Sequence, residues 1–368
     1  MLQHPPFRAD HIGSLLRPPS LRQAFRRHES GELNADSFRL LQDESIRAAV
    51  RMQEEIGLRV ITDGEFRRSS YWARFVERVE GFAIQTAAYR FRNEHGHEMS
   101  FTAPFAAGKI RRVRALALDE FEFLRSITGV TAKMTLPAPS TMHFYAGRNF
   151  AAPGVYDDAA SLFADLSLVF QQEIAELASA GCRYLQLDEV AIAMLCDDVL
   201  RERTSAQGQD PDALIDMYID AINQAVAHRG ADMAIGIHVC RGNFRGHFLA
   251  DGGYDAVAER FFAGVNATHF LLEYDTPRAG DFAPLRFVPK HKGVVLGLIS
   301  TKIPTLESSE MLKRRIDEAA CHIELDRLAI SPQCGFASTA AGNPLSADDE
   351  RAKLARAVDV AVAVWGSP

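Results

Sequence analysis

The feature that most constrains this chain is a rhythm. Short apolar runs of strand length alternate with long amphipathic stretches, and the strand-like runs number eight. They are FRADHIGSLL, LRVITDGEF, TAKMTLPAPS, RYLQLDEVAI, MAIGIHVC, THFLLEYD, GVVLGLIS and LAISPQCGF, with Pro18 and Pro19 closing the first. Helical patterns fill most of the gaps: 36–57, with Asp36 as N-cap and Gly57 at its end, then 117–127, 157–180, 211–229, 253–264, 305–323 and 346–364. Strands separated by helices pair in parallel, because each crossover returns the chain to the same end of the sheet. Eight such units predict an α/β fold, a (β/α)8 TIM barrel built as a single domain over 1–368. An open doubly wound sheet competes with it. No GxGxxG turn supports that sheet, and polar residues recur at nearly every strand end. Residues 77–115 interrupt the rhythm with aromatic, glycine and basic residues that show no helical period. They read as an inserted β-hairpin or arm after the second strand.

Within this scaffold, residues 233–243, MAIGIHVCRGN, carry the most chemistry. Ile235, Ile237 and Val239 alternate with Gly236, His238 and Cys240, which is the period of a strand buried on both faces. Two later strands place Glu273 and Cys334 near their carboxyl ends. His-x-Cys, Glu and Cys on three strand ends make a complete four-ligand zinc set. Each residue also has a plainer reading. Cysteine is among the most buried residue types, a strand histidine is often a satisfied core residue, and a glutamate often serves an ion pair. A metal gives the three strand ends a common cause, at the face where barrel active sites sit. Cys182, Cys196 and Cys321 fall on or beside helices and are assigned to packing.

Composition excludes other classes. A net charge of −7 with no basic stripe argues against nucleic-acid binding. No run approaches the ~20 apolar residues that span a bilayer. The start, MLQHPPFRAD, lacks a signal-peptide core, and five scattered cysteines fit a reducing compartment. A cytoplasmic location is expected.

HVC, LLEYD and ISPQCGF resemble the zinc-binding motifs of the catalytic domain of cobalamin-independent methionine synthase. As a whole the chain resembles the short, single-barrel proteins of that family, which lack the N-terminal half. FRADHIGSLLRP, ITDGEFRRSSYW, KMTLPAPS, LQLDEV and LGLISTKIPTLES carry the likeness along nearly the whole length. The resemblance implies zinc as cofactor, with His238, Cys240, Glu273 and Cys334 as ligands, and a homocysteine methyltransferase activity. It also implies a homocysteine pocket formed by Ile12, Gly13 and Ser14 with the acidic Glu65 and Asp188. The residues agree in part: Asp188 alternates with Leu185 and Leu187 and so points to the barrel mouth. Its plainer reading is a helix cap, and that of Glu65 is an ion pair with Arg67 or Arg68. Asp188 and Lys302 are the candidate catalytic residues. Arg67, Arg68 and Trp72 are the candidates for binding the methyl donor.

The donor stays open. The full-length enzymes of the family have an Asp-Ile-His-Ser stretch whose histidine is implicated in protonating the folate. Here the segment reads GLISTKIP, with Ile299 in that place and Lys302 nearby. This favours a methylcorrinoid over methyl-tetrahydrofolate. Two alternatives stand beside methionine synthesis. One is alkylation of another thiol, as epoxyalkane:coenzyme M transferases perform, with Arg67, Arg68 and Arg241 facing a sulfonate. The other is a non-catalytic, zinc-stabilised barrel, although structural zinc sites usually use Cys-x-x-Cys pairs and none occurs here.

Overall fold

A computed structural model of the chain describes residues 6–368. Seven strands form one parallel sheet: β1 (Val60–Ile61), β6 (Thr131–Pro137), β7 (Tyr184–Glu189), β8 (Ala234–Val239), β9 (His269–Glu273), β10 (Gly293–Ile299) and β11 (Leu328–Pro332), in that spatial order. The expected first strand is only a bridge. Ala9 pairs in parallel with Ile330, the Asp10 amide donates to the Ile330 carbonyl at 3.0 Å, and the Ile330 amide donates to Arg8 at 2.9 Å. On the other flank the Leu15 amide donates to Gly64, and the Thr62 hydroxyl to the Gly13 carbonyl at 2.7 Å. The segment thus spans from β11 to β1 and closes the barrel. It cannot continue as a strand because Gly13 turns at φ +128, where a Cβ would lie 2.8 Å from the Thr135 methyl.

In-register parallel pairing stacks the inward side chains in layers. Lys133 is level with Tyr184, Pro137 with Asp188, and Asp188 with His238. Near the strand starts lies a buried polar layer. Lys133 donates to Asp10 at 2.9 Å, and the Tyr184 hydroxyl joins Asp10 at 2.5 Å and His269 at 2.6 Å. The lysine is wholly buried, so its charge is tolerable only with that carboxylate beside it. Above it Ile12, Leu271, Val295 and Ala329 form an apolar layer. Gly236 is required at this level, since a Cβ there would sit 2.8 Å from His269 Nε2. The uppermost layer holds Asp188, His238 and Glu273, all buried.

The antiparallel arm is present where the sequence breaks rhythm. β2 (Val79–Thr86) pairs with β5 (Thr102–Arg112), and a small hairpin of β3 (Phe91–Arg92) and β4 (Glu98–Met99) lies between them. Arg92 and Phe248 exchange two backbone hydrogen bonds, at 2.8 and 2.9 Å, which ties the small hairpin to the loop after β8.

The helices are α1 (Pro19–Glu29), α2 (Ala35–Glu55), α3 (Ala73–Arg78), α4 (Leu118–Ile127), α5 (Thr141–Phe144), α6 (Ala159–Ser179), α7 (Ala191–Met194), α8 (Asp198–Ala206), α9 (Pro211–Ala225), α10 (Ala258–Gly264), α11 (Ser309–Ala320) and α12 (Ala347–Trp365). Seven of them (α2, α4, α6, α9, α10, α11 and α12) lie where periodicity places them; α3, α5, α7 and α8 are short helices at which no periodicity predicts one, and two further differences have clear causes. The N-cap of α2 is Asn34, whose side chain accepts from the Ser37 amide at 2.8 Å, so Asp36 lies in the first turn instead. α1 was not expected. The proline pair that ends a strand also starts a helix, because proline at N1 loses no intrahelical bond. Among the described residues, no helix is long and apolar enough to cross a membrane.

Candidate active site

Strand register brings His238 and Cys240 to the end of β8 and Cys334 to the loop just after β11. Their ligand atoms all lie within 4.8 Å of one another, and all three residues are buried. The two sulfurs are 3.8 Å apart. That is far beyond a disulfide bond, and it matches the span of about 3.8 Å between two sulfurs bound tetrahedrally to zinc at about 2.3 Å each. The Nδ1 of His238 faces the Leu271 carbonyl at 3.3 Å, which places the proton there. Its Nε2 is buried with no hydrogen-bond partner. A histidine fixed through one nitrogen with the other free is the arrangement that metal ligation uses. The cysteines pull apart in acidity. The hydrogen bond between the two thiols holds Cys334 well below its ordinary value, while that same contact and burial push Cys240 up. The residues present therefore fit a zinc ion.

Glu273, the fourth residue of the expected set, is not among the three whose ligand atoms lie within 4.8 Å of one another. Its carboxylate accepts from the Arg241 amide at 2.6 Å and from Arg278 at 3.0 Å, with the Lys302 ammonium at 3.6 Å. Burial works against its charge, but these cations outweigh it and hold the group at about 2. Lys302 is buried beside it, and its ammonium lacks a hydrogen-bond partner.

A cavity of about 50 Å³ opens onto the cluster, lined also by Ile12, Ser14, Glu65 and Asp188. That is room for roughly four waters at about 10–15 Å³ each, a space for a slender ligand. Gly13 forms the turn behind it and does not line it. The loop after β1 carries Glu65 in a left-handed backbone conformation, φ +59, with its amide held by Asp63 Oδ1 at 2.8 Å. A non-glycine residue held there is strained, and such strain clusters at functional sites. One Glu65 oxygen accepts from the Thr135 hydroxyl at 2.7 Å, while the other is buried without a partner. Asp188 accepts from Gln186 at 2.7 Å. Burial, countered in part by His238, lifts its carboxyl to about 7. Two carboxylates face one cavity, and Glu65, paired with Arg68 at 3.6 Å through one oxygen, keeps its other oxygen free for a cation.

The arginines expected at the donor site are elsewhere. Arg67 is buried against Asp43 at 2.5 Å and packs over Phe123. Arg68 is clamped to Glu120 at 2.7 and 3.1 Å and donates to the Thr135 hydroxyl at 2.9 Å. Both therefore brace the scaffold, and Arg68 holds Glu65 directly, in the ion pair its plainer reading predicts, at 3.6 Å, and also through Thr135. Arg241 is also sequestered, over Tyr254 and bonded to the Gly252 carbonyl. No arginine or lysine lines the cavity among the described residues. Trp72 does reach a second space of about 420 Å³, an outer vestibule walled by Phe91, Phe101, Tyr145 and Phe244 beneath the arm.

Sequence reasoning passed over several wall residues. Tyr71 and Tyr145 share a hydrogen bond at 3.1 Å and border both spaces. Asn243 donates to the Gly335 carbonyl at 2.7 Å, joining the two ligand-bearing loops. Arg17 donates to the carbonyls of Glu65, Arg68, Ala337 and Thr339, holding two mouth loops together. Their signal was proximity to a motif: Tyr71 follows DGEFRRSS, and Asn243 follows HVCRG.

The class is a parallel barrel with a buried His/Cys/Cys cluster at its strand ends that could hold a metal ion, beside two acidic side chains. Comparison with known proteins narrows the class. A family model described as the catalytic domain of cobalamin-independent synthase matches residues 7–362, and the chain belongs to that family. It is 43% identical to the uncharacterized protein YxjH of Bacillus subtilis, over 98% of this chain and 95% of that one. It is 26% identical to a methionine synthase of Pyrococcus abyssi, over 88% and 85% respectively. A Listeria monocytogenes crystal structure, described provisionally as a vitamin-B12-independent methionine synthase, superposes with a TM-score of 0.75 at 32% identity, over 98% of both chains.

Proposed function

We propose that this protein methylates the thiol of homocysteine, giving methionine, with zinc held by His238, Cys240 and Cys334 and with Glu273 completing the set. The observation that carries the reading is that the His/Cys/Cys cluster and two acidic side chains open onto one buried cavity. A thiol amino acid has two matching poles, a sulfur for the cluster and an ammonium for Glu65 and Asp188. When bound, zinc supplies a deprotonated sulfur nucleophile at neutral pH. The side chains do the rest. The free oxygen of Glu65 and the Asp188 carboxylate accept the ammonium's protons, and the added positive charge favours the ionised Asp188 that burial alone disfavours. Tyr71, Tyr145 and the arm keep water from the sulfur.

For the methyl donor, a methylcorrinoid is favoured. A folate amine leaves poorly unless protonated. Ile299 carries no acidic proton, and Lys302 is ion-paired to Glu273. A corrinoid departs as a reduced metal centre and needs no proton. Coenzyme M is the weaker acceptor reading, because Arg67, Arg68 and Arg241 all face away from the cavity.

The test is thermal protection of the zinc-loaded protein. Homocysteine should raise Tm more than coenzyme M at equal concentration. Asp188→Asn should erase the difference while zinc content stays near the parent's. A larger shift with coenzyme M in the parent would contradict the assignment.

A further inference from the structure

Two loops run outward from the metal cluster side by side. The loop after β8 passes from Cys240 through Asn243 at the cavity and Phe244 at the vestibule to Arg245. The loop after β11 passes from Cys334 through Ser338 and Thr339 to residues 340–345. Both end on a third space, a groove of about 680 Å³ against α1. Arg22, Arg26 and Arg245 line it, all exposed, and none forms an ion pair among the described residues. Glu29 is the only acidic residue in its lining.

This positive cluster stands on a chain of net charge −7. Arg22 and Arg26 are four apart on α1, where like charges repel. Arg245 occupies a left-handed backbone conformation, φ +51, on a turn whose flanking residues, Phe244 and His247, exchange hydrogen bonds. The Asn343 side chain bolts that turn to the barrel, accepting from the Gly246 amide at 3.1 Å and donating to the Thr301 carbonyl at 2.8 Å. Three guanidiniums held around one groove are a receptor for carboxylate or phosphate oxygens. Cluster, aromatic vestibule and basic groove follow one another along the same two loops.

We infer that the groove binds the negatively charged tail of the methyl donor, so that the methyl-bearing head occupies the vestibule and faces the cluster. This rests on the methyl-transfer reading above. The required chemistry is a tethered anion, which a corrinoid offers as its nucleotide phosphodiester and a folate as a chain of γ-linked glutamates.

Equilibrium binding to the zinc-loaded protein tests it with two matched pairs. Cobalamin is compared with cobinamide, which lacks the phosphodiester, and triglutamyl methyl-tetrahydrofolate is compared with the monoglutamyl form. One pair should show at least about a tenfold tighter dissociation constant for the tailed member, and which pair does so identifies the tail. That preference should vanish in R22Q/R26Q/R245Q, whose exposed positions leave the fold and Tm unchanged. It should also vanish in about 1 M NaCl, where the screening length falls to about 3 Å. Cys240→Ser should keep it. No preference in either pair, or one that survives the triple variant, overturns the inference. A groove-dependent preference in a protein that does not methylate homocysteine would instead remove the methyl-transfer reading and leave an anion site.

Discussion

Single side chains at the barrel mouth are informative through what they lack. His238 Nε2 and one Glu65 oxygen, both on residues lining the cavity, are buried without hydrogen-bond partners. Leaving such groups unpaired costs about 1–3 kcal/mol each, more when charged, so their convergence marks a site that a ligand completes. His238, Cys240 and Cys334 were legible in the sequence because strand alternation and barrel topology together fix where they point. Glu273, Arg67 and Arg68 were less so. A carboxylate or guanidinium has a long reach, and its partner is chosen by tertiary neighbours such as Arg278, Asp43 and Glu120 that no local pattern reveals. Cys240→Ser and Cys334→Ser should each lose most of the zinc, measured by elemental analysis, while circular dichroism stays that of the parent. Full zinc in both variants would remove the metal assignment.

Elements were read well where periodicity was long and poorly where two signals overlapped. α6 and α12 fall within two residues of their expected bounds, since each pairs a long apolar stripe with an N-cap, Asp158 and Ser346. The first strand is expected where only a bridge forms, and α1 is not expected, for one reason. One proline pair served as a strand terminator in the sequence and as a helix start in the fold. At α2 the competing cap readings can be separated by experiment. Asn34→Ala should cost about 1 kcal/mol of stability in urea melts. Asp36→Ala removes only a first-turn charge and should cost about 0.3–1 kcal/mol at most. A larger loss at Asp36 would restore it as the cap.

For the whole molecule, closure of the barrel depends on the N-terminal segment, whose register is set by contacts far away in sequence. Glu350 on α12 is one of these, accepting the Leu16 amide at 2.8 Å. Burial, only partly offset by that amide, lifts its carboxyl to about 8, against about 4.3 for an unperturbed glutamate. Between those values the folded protein holds a proton that the unfolded chain releases, so this group's contribution is intact in acid and lost as pH rises through about 8. Glu350→Gln keeps the acceptor and removes the titration. The Tm of the variant relative to the parent should therefore climb from pH 5 to pH 9, and parallel pH profiles would contradict a buried carboxyl.

The proposed reaction is transfer of a methyl group to homocysteine within this barrel. The most direct measurement is methionine formed by the purified, zinc-loaded protein from homocysteine with methylcobalamin or methyl-tetrahydrofolate as donor. Methionine should appear with both metal and homocysteine present, faster with methylcobalamin by at least about tenfold, the lower part of what a missing general acid costs. Equal rates with the two donors would contradict the donor assignment. Absence of methionine with either donor, alongside alkylation of coenzyme M, would contradict the central claim.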